Sequence, residues 1–277
     1  MRQSIPFALN HVTAPSLDCR RLIDLAAELG CLGVELRNDL PDKKLSDRPF
    51  FDGQDPTAIG AYARKKGIRL LGLSEVYGFN SWSPDIADKV RTLIAQAQRS
   101  GAESISLIPR NDALPHSPSE RAAHLRTALA AVLPMITEAG IIALIEPLGF
   151  TTSSLRHKRE AVEAIEAVGG EKAFRIVHDT FHHHLAGETD YFPEYTGIVH
   201  VSGLADPALA ANQMRDEHRI LVDDRDRLEN TAQIHELIKL GYTGAFSVEA
   251  FSPMVHRLGD PAKELEQSFD YLRSATS

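Results

Sequence analysis

The sequence has few cysteines and no long apolar run, and each absence removes a class of protein. Two cysteines, Cys19 and Cys31, occur among 277 residues, too few for a disulfide framework or a thiolate metal cage. We expect both to pack as small apolar side chains. No apolar run approaches the ~20 residues that span a bilayer, and residues 1–16 lack the features of a signal peptide. These absences predict a cytoplasmic protein with no membrane partner.

Basic residues are also in short supply. Lys and Arg number 30 against 38 Asp and Glu, for a formal net charge of −8. The two signs are interleaved, without the basic stripe that binds a phosphate backbone, so we expect no nucleic-acid partner. Apolar residues at 43% and charged residues at 25% are typical of a soluble globular protein.

Short β-rich segments alternate with amphipathic segments along the chain. The predicted strands are 5–10, 32–37, 68–74, 104–109, 141–147, 174–179, 197–202 and 244–250. The predicted helices are 18–30, 56–67, 84–101, 117–140, 156–170, 230–241 and 260–274, with a poorly defined helical segment over 188–195. This alternation predicts right-handed βαβ units and a parallel sheet. Eight units predict an α/β fold of the (β/α)₈ TIM-barrel type, as a single domain over 1–277.

Glycines occur where the predicted helices end, shortly before the next strand. They are Gly30, Gly67, Gly101, Gly140 and Gly241. A doubly wound open sheet is the rival architecture. That fold usually has fewer strands and places a glycine-rich phosphate loop after the first one. Here the corresponding segment, ALNHVTAPS, contains no glycine, which favours the barrel and a substrate without phosphate.

Four potential metal ligands lie at the ends of consecutive predicted strands: Glu146, Asp179, His200 and Glu249. In barrels of this kind the chemistry sits at the carboxyl ends of the strands, where side chains converge. Strand parity places Leu144 on the face of Glu146, Ile198 on that of His200 and Ser247 on that of Glu249. We therefore expect the four polar side chains to point into the barrel above a layer of apolar or small residues.

Three converging carboxylates would repel one another in a buried site, and such a cluster either protonates or recruits a cation. Oxygen and imidazole ligands without thiolate favour Mn²⁺ or Mg²⁺, with Zn²⁺ and Co²⁺ as alternatives. The pattern leaves one other interpretation open, an internally hydrogen-bonded cluster of carboxylates and histidine.

Several motifs around these residues resemble a known family. They are ALIEP around Glu146, IVHDTFHHH around Asp179, IVHVSG around His200, DEHR at 216–219 and FSVEAFSP around Glu249, with a weaker match in GVELR. The chain resembles the xylose isomerase-like barrel superfamily of sugar isomerases and epimerases, and within it the inosose (2-keto-myo-inositol) isomerases. The resemblance extends over nearly the whole length.

The resemblance implies site residues as well as a fold. The metal ligands of the family map onto Glu146, Asp179, His200 and Glu249, the same four that strand parity selects. Glu146 and Glu249 would be the catalytic acid and base on opposite faces of the substrate. By the same resemblance, His182 and Arg219 would hold substrate oxygens.

The chain departs from the family pattern in two places, and both concern substrate identity. Arg219 is followed by ILVDDRDRLEN instead of a Pro-Gly-x-Gly turn. His183 stands where the family often has an aromatic residue between two histidines. The superfamily also includes apurinic endonucleases, but the additional metal ligands and basic loops of those enzymes are not found here.

Further polar residues have functional and structural interpretations. Glu35 and Arg37 share a strand face. They would pair with each other at the barrel rim, or else contact the substrate or support a residue that does. His178 has the opposite parity to Asp179 and is expected to pack against the helices, whereas His183 is expected to be exposed. For His184 the sequence leaves substrate and other roles open.

Two more residues are candidates for substrate binding. His11 follows the first strand at the active end of the barrel. Trp82, with Tyr77 and Phe79, forms an aromatic loop after the third strand, where it would stack on a sugar ring or anchor the loop.

The ligand set supports proton transfer at the carbon alpha to a carbonyl. A metal bound by the substrate oxygens stabilises an enediolate, and a carboxylate removes the proton. We expect a metal-dependent isomerase or epimerase of an inosose or ketose, in carbohydrate or inositol metabolism. A keto-polyol dehydratase using the same site is the main alternative; a binding module without turnover and a DNA repair enzyme are others. The sequence leaves open whether the chain forms a homo-oligomer.

Overall fold

Eight parallel strands form a closed barrel in the order β1 to β8, with β8 hydrogen-bonded to β1. The computed structural model describes residues 5–276. The strands are Phe7–Asn10 (β1), Gly33–Arg37 (β2), Arg69–Tyr77 (β3), Ser104–Ile108 (β4), Ile142–Ile145 (β5), Phe174–Asp179 (β6), Thr196–Val201 (β7) and Phe246–Val248 (β8). The predicted (β/α)₈ barrel is confirmed.

Helices surround the barrel and follow the strands in sequence. They are Cys19–Glu28 (α1), Pro56–Lys66 (α2), Pro84–Ser100 (α3), Pro118–Ala139 (α4), Lys158–Ala167 (α5), Thr180–Ala186 (α6), Asn230–Lys239 (α7), Pro253–His256 (α8) and Pro261–Ala275 (α9). At the ends of α2, α3 and α4 the glycines Gly67, Gly101 and Gly140 have φ values of 73°, 76° and 68°. Glycine adopts this left-handed conformation without steric cost, which explains why glycines occur at the predicted helix ends.

The helix after β6 differs from the prediction. The sequence predicts a helical segment over 188–195, but α6 begins at Thr180, directly after the strand, and includes the three consecutive histidines. The Asp179 carboxylate caps this helix, because its Oδ1 accepts hydrogen bonds from the backbone N–H of Phe181 and His182 at 2.8 and 3.1 Å. A single residue thus ends the strand and starts the helix.

Alternate residues of the strands fill the interior of the barrel. Leu144, Val177 and Ile198 pack there with residues from three other strand segments, Ala8, Leu71 and Ala245. Each of the first three lies two positions before Glu146, Asp179 or His200, so the predicted apolar layer beneath the polar residues is confirmed. The larger core cluster lies between the strands and the helices and contains both cysteines, which are buried and free.

Within residues 5–276, no helix combines the length and the apolar character needed to cross a membrane.

Candidate metal centre and substrate cavity

Glu146, Asp179, His200 and Glu249 come together at the carboxyl end of the barrel. Each offers one ligand atom, these atoms all lie within 4.8 Å of one another, and all four residues are buried. Asp179 is the last residue of β6 and His200 lies in β7, whereas Glu146 and Glu249 immediately follow β5 and β8. This is the grouping that the strand ends and the family resemblance predict.

Strand register produces this convergence. Asp179 and His200 are directly paired between β6 and β7. The backbone N–H of Glu249 donates to the Val201 carbonyl at 2.9 Å, and that of Glu146 donates to the Leu107 carbonyl at 3.2 Å. The two glutamates therefore remain tied to the neighbouring strands although they lie just beyond their own.

The imidazole of His200 lies at the centre of the carboxylates. Its Nδ1 is 3.2 Å from Glu249 Oε2, 3.5 Å from Glu146 Oε1 and 3.9 Å from Asp179 Oδ2. This nitrogen is buried and has no hydrogen-bond partner among the described residues. An unpartnered ring nitrogen facing three carboxylate oxygens is a donor set that suits a divalent cation, so the residues present fit a metal ion.

The charges in the cluster shift its pKa values in different directions. Burial would lower the pKa of His200, but the charges of Glu249, Glu35 and Glu146 outweigh it and raise this pKa well above its usual value. Burial and the charge of Glu249 raise the pKa of Glu146. Burial also acts to raise the pKa of Glu249, but His200 and Arg219 hold it well below its ordinary range. The cluster therefore requires positive charge to keep all its carboxylates ionised.

Arg219 supplies part of this positive charge. Its Nη2 donates to Asp179 Oδ2 at 2.6 Å and to Glu249 Oε2 at 2.9 Å. Its Nε donates to Ser202 Oγ at 2.9 Å, and its Nη1 lies 3.3 Å from Asp216 Oδ1. Since a guanidinium has five N–H groups, four are engaged and one remains at Nη1 for another acceptor. Arg219 lines the cavity above the cluster, as the predicted role in substrate binding requires.

Glu35 supports His200 from below. Its Oε2 lies 3.2 Å from His200 Nε2, and its Oε1 accepts a hydrogen bond from Ser247 Oγ at 2.6 Å. Asn10 Nδ2 bridges Glu35 Oε1 at 3.4 Å and Glu249 Oε1 at 3.2 Å. Glu35 thus fixes the orientation of the imidazole and leaves Nδ1 facing the carboxylates.

The predicted pairing of Glu35 with Arg37 is wrong for the described residues. Arg37 instead binds Asp39 through Nε and Nη2 at 2.8 and 2.7 Å, and its Nη1 donates to Glu249 Oε1 at 2.9 Å. Its Nη2 also contacts Glu75 Oε2 at 3.1 Å. Arg37 thus pairs with its near neighbour Asp39 and with Glu75 and Glu249 of other strand segments. Glu35 pairs with His200 of β7. Spacing along β2 does not reveal the partners on other strands.

Glu75 was missed at the sequence level because the third strand was predicted to end at residue 74. The strand continues to Tyr77, which carries Glu75 to the rim of the cavity. Polar and apolar residues continue to alternate in the segment SEVY, and this alternation is the signal that would have extended the predicted strand beyond Ser74.

His182 projects from α6 into the cavity. Its Nε2 lies 4.0 Å from Glu146 Oε1, and its Nδ1 is buried without a hydrogen-bond partner among the described residues. The rings of Phe150 and Phe181 contact the imidazole edge-on at centroid distances of 5.1 and 5.2 Å. The side chain is therefore held rigidly beside a candidate metal ligand.

The structure does not bring His11 and Trp82 to the cavity wall. His11 is buried, and its Nε2 is 2.9 Å from the Leu17 carbonyl. The ring therefore stabilises the loop after β1. Trp82 packs against the core cluster as a loop anchor, the second of the two roles its sequence position allowed. The aromatic residue from this loop region that lines the cavity is Tyr77, which is 47% exposed.

Two other histidines of this region, His178 and His183, form a separate buried group around Lys158. The Lys158 ammonium contacts Nδ1 of both His178 and His183 and lies 3.2 Å from Glu188 Oε2. His178 is packed behind β6, as predicted. The expected exposure of His183 is wrong, since this residue is only 7% exposed; α6 turns it towards Lys158.

The cavity above the cluster has a volume of about 180 Å³. It is lined by Arg37, Lys43, Glu75, Tyr77, Ile108, Asn111, Glu146, Leu148, Phe150, His182, Asp216, Arg219, Glu249 and Phe251. Most of these side chains are polar or charged, which suits a small ligand rich in hydroxyl groups better than an apolar one.

Comparisons with known proteins find the same fold in several solved structures. A xylose isomerase domain-containing protein from Salmonella typhimurium LT2 is 28% identical, with a TM-score of 0.85 and coverage of 98% of this chain and 97% of that chain. The IolI protein, whose structure holds a zinc atom, is 18% identical, with a TM-score of 0.82 and coverage of 99% and 98%. D-Psicose 3-epimerase from Clostridium cellulolyticum H10 is 16% identical, with a TM-score of 0.73 and coverage of 99% and 100%.

A comparison with curated protein sequences gives no significant match. The family model described as a xylose isomerase-like TIM barrel matches residues 23–275. The chain therefore belongs to the xylose isomerase-like TIM-barrel family.

Proposed function

We propose that the protein is a divalent-metal-dependent isomerase or epimerase of a small polyhydroxy ketone, with an inosose as the first substrate candidate. One observation carries this proposal: four buried residues offer ligand atoms within 4.8 Å of one another, and two of them, Glu146 and Glu249, line a polar cavity. Similar structures that are sugar epimerases, such as D-psicose 3-epimerase, support the reaction class.

The metal would be held by Glu146, Asp179, His200 and Glu249. Bound there, a divalent cation supplies a Lewis acid that stabilises negative charge on the substrate oxygens. Mn²⁺ suits three carboxylates and one imidazole, and the zinc atom of the IolI structure supports Zn²⁺ as an alternative.

Glu146 is the better placed of the two glutamates to accept the first proton. Glu249 is held through Oε1 by Arg37 and Asn10 and through Oε2 by Arg219. Within residues 5–276, the ion-pair partners of the Glu146 carboxylate are His200 and His182, both at Oε1, and its Oε2 has no such partner. Glu146 would remove the proton alpha to the carbonyl, and Glu249 would complete the acid–base pair.

His182 and Arg219 would orient the substrate. Leaving a buried ring nitrogen without a partner costs about 1–3 kcal/mol, and a substrate hydroxyl would satisfy His182 Nδ1 or Nε2. The remaining N–H of Arg219 Nη1 would donate to a second oxygen. These contacts position a polyol over Glu146 without using apolar surface.

A product screen tests this function. The purified protein, loaded with Mn²⁺, is incubated with a panel of inososes and ketoses, quenched with EDTA and examined by mass spectrometry and NMR. We expect a product of unchanged mass from at least one keto-polyol. Loss of 18 mass units from the product, the mass of water, would instead identify a dehydratase, and absence of any product across the panel would contradict enzymatic turnover of this substrate class.

A further inference from the structure

Glu75 is a carboxylate of the cavity that does not belong to the ligand group. Its side chain is 11% exposed, and it lines the same cavity as Glu146, Glu249 and His182. Its Oε2 accepts a hydrogen bond from Arg37 Nη2 at 3.1 Å, and Nη1 of the same guanidinium binds Glu249 Oε1 at 2.9 Å. One arginine therefore sets the position of Glu75 relative to the metal ligands.

The backbone of Glu75 is fixed as well. Its N–H donates to Asn38 Oδ1 at 2.8 Å, and its carbonyl accepts from Asn38 Nδ2 at 3.2 Å. Among the described residues, Glu75 Oε1 has no hydrogen-bond partner. The residue thus presents one free carboxylate oxygen from a rigid support, which is the arrangement required of an acid–base group.

The surroundings of Glu75 shift its pKa towards neutral pH. Burial raises the pKa of Glu75 to about 7, against the opposing charges of Arg37 and Lys43 and with the added effect of Asp39 and Glu146. Both protonation states are therefore populated near neutral pH, where general acid–base catalysis is most effective.

The two reaction types of the proposed function differ in the protons they move. Epimerisation removes a proton from a carbon and returns it to the same carbon on the other face. Transposition of a carbonyl to the neighbouring carbon moves a C–H proton between the carbons and also an O–H proton between the oxygens. The second proton requires a group of its own near the substrate oxygens.

Resting on the proposed function, we infer that Glu75 is a further catalytic residue, which transfers the hydroxyl proton between adjacent oxygens of an α-hydroxy ketone. The reaction is then a carbonyl transposition. In this transposition Glu146 moves the carbon-bound proton and Glu75 moves the oxygen-bound proton.

The step balances without any co-reactant. As Glu146 removes the C–H proton, that electron pair forms the C=C bond, and the carbonyl π pair moves to oxygen and takes the proton from the Glu75 carboxylic acid. The Glu75 carboxylate then removes the proton from the other hydroxyl, whose O–H pair forms the new carbonyl. The Glu146 carboxylic acid then returns its proton to the C=C pair at the former carbonyl carbon, so that Glu146 and Glu75 both return to their starting states.

Glu75→Gln tests this role, because glutamine keeps the size of the side chain and an oxygen for Arg37 but cannot exchange protons at neutral pH. The Mn²⁺-loaded wild type and variant are incubated with the turned-over keto-polyol in D₂O, and two rates are measured: deuterium wash-in at the α-carbon and formation of the transposed product. We expect transposition to fall by about 100-fold, at the lower end of the effect of acid–base catalysis, while wash-in persists. Glu103→Gln, which alters the Arg69 ion pair at the opposite end of the barrel, should change neither rate.

A pH profile of the wild type gives a second test that does not depend on the folding of a variant. The ratio of transposition to wash-in should fall above pH 7 as Glu75 loses its proton. Transposition by Glu75→Gln at the wild-type rate, an equal fall of both rates, a pH-independent ratio, or a wild-type product that is only an epimer would each overturn the role of Glu75. Absence of both wash-in and product in the wild type would instead refute the proposed function itself.

Discussion

Glu35 Oε2 lies 3.2 Å from His200 Nε2, and the two side chains are 0% and 1% exposed. A carboxylate in this position holds the imidazole in one orientation and increases the basicity of the opposite nitrogen. Ser247 and Asn10 in turn hold Glu35. The candidate ligand His200 is therefore supported by a buried network contributed by three other strand segments.

Removal of the Glu35 charge should weaken metal binding without removing a ligand. Glu35→Gln is expected to lower the affinity for Mn²⁺ by about 10–100-fold, the usual effect of losing a carboxylate that orients a ligating histidine. Isothermal titration calorimetry on the metal-free protein measures this change, with Glu103→Gln as the matched control. Equal affinity in wild type and Glu35→Gln would show that His200 does not need this support.

The two glutamates proposed as the acid–base pair give a prediction about turnover. Glu146→Gln and Glu249→Gln should each lower turnover of the keto-polyol substrate by about 10²-fold or more, because an amide neither accepts the proton nor binds the metal as strongly. Circular dichroism should show an unchanged fold. Glu138→Gln, at an exposed position of α4, serves as control; near wild-type rates in both site variants would refute their assignment.

Arg219 gives a prediction about stability that also reports on the metal site. Arg219→Met leaves Asp179 and Glu249 without their shared cation. Breaking a buried ion pair from one side costs about 3–5 kcal/mol, so urea denaturation in EDTA should show a loss of this size. Mn²⁺ should then raise the melting temperature of the variant more than that of the wild type, since the metal replaces the missing charge.

The control for Arg219→Met is Arg225→Met, which removes an exposed arginine paired with Asp223. Its stability should change by less than about 1 kcal/mol, as for most surface ion pairs. If Arg219→Met were as stable as Arg225→Met, the buried carboxylates would not depend on Arg219 for their charge balance.

The buried group around Lys158 predicts a pH dependence of stability. Burial and the charge of Lys158 lower the pKa of His183 from 6.5 to about 3. The unfolded chain takes up this proton near pH 6.5 and the folded chain does not, so the stability from His183 is complete above pH 6.5 and is lost as the pH falls towards 3. Between pH 7 and pH 5 this single group should account for about 2 kcal/mol.

Urea denaturation at pH 7 and pH 5 measures this effect. His183→Asn should lose less stability between the two pH values than the wild type, because asparagine does not titrate. His235→Asn, at an exposed position of α7, should keep the wild-type pH dependence. An unchanged pH dependence in His183→Asn would mean that His183 is not held neutral by its surroundings.

The fold and the positions of the four candidate metal ligands could be predicted because they follow from local patterns. The alternation of strands and helices specifies the barrel, and strand parity aligns Glu146, Asp179, His200 and Glu249 at one end of it. The family resemblance selects the same four residues, and their close grouping is what the structure shows.

The remaining site residues depend on contacts between distant segments. Arg37 reaches Glu249 across 212 positions of sequence, and Glu75 joins the cavity only because β3 continues to Tyr77. The position of α6 depends on a cap by Asp179, and His183 is buried because this helix faces Lys158. Periodicity along one segment carries no information on such partners.

Deuterium exchange with and without metal tests the central claim most directly. The protein is treated with EDTA and then incubated in D₂O with an inosose panel, either metal-free or supplemented with Mn²⁺, and deuterium at the α-carbon is measured by mass spectrometry after quenching. We predict incorporation into at least one substrate with Mn²⁺ and none without it. Incorporation that is independent of metal would contradict the assignment of Glu146, Asp179, His200 and Glu249 as the ligands of a catalytic metal, and so would its absence under both conditions.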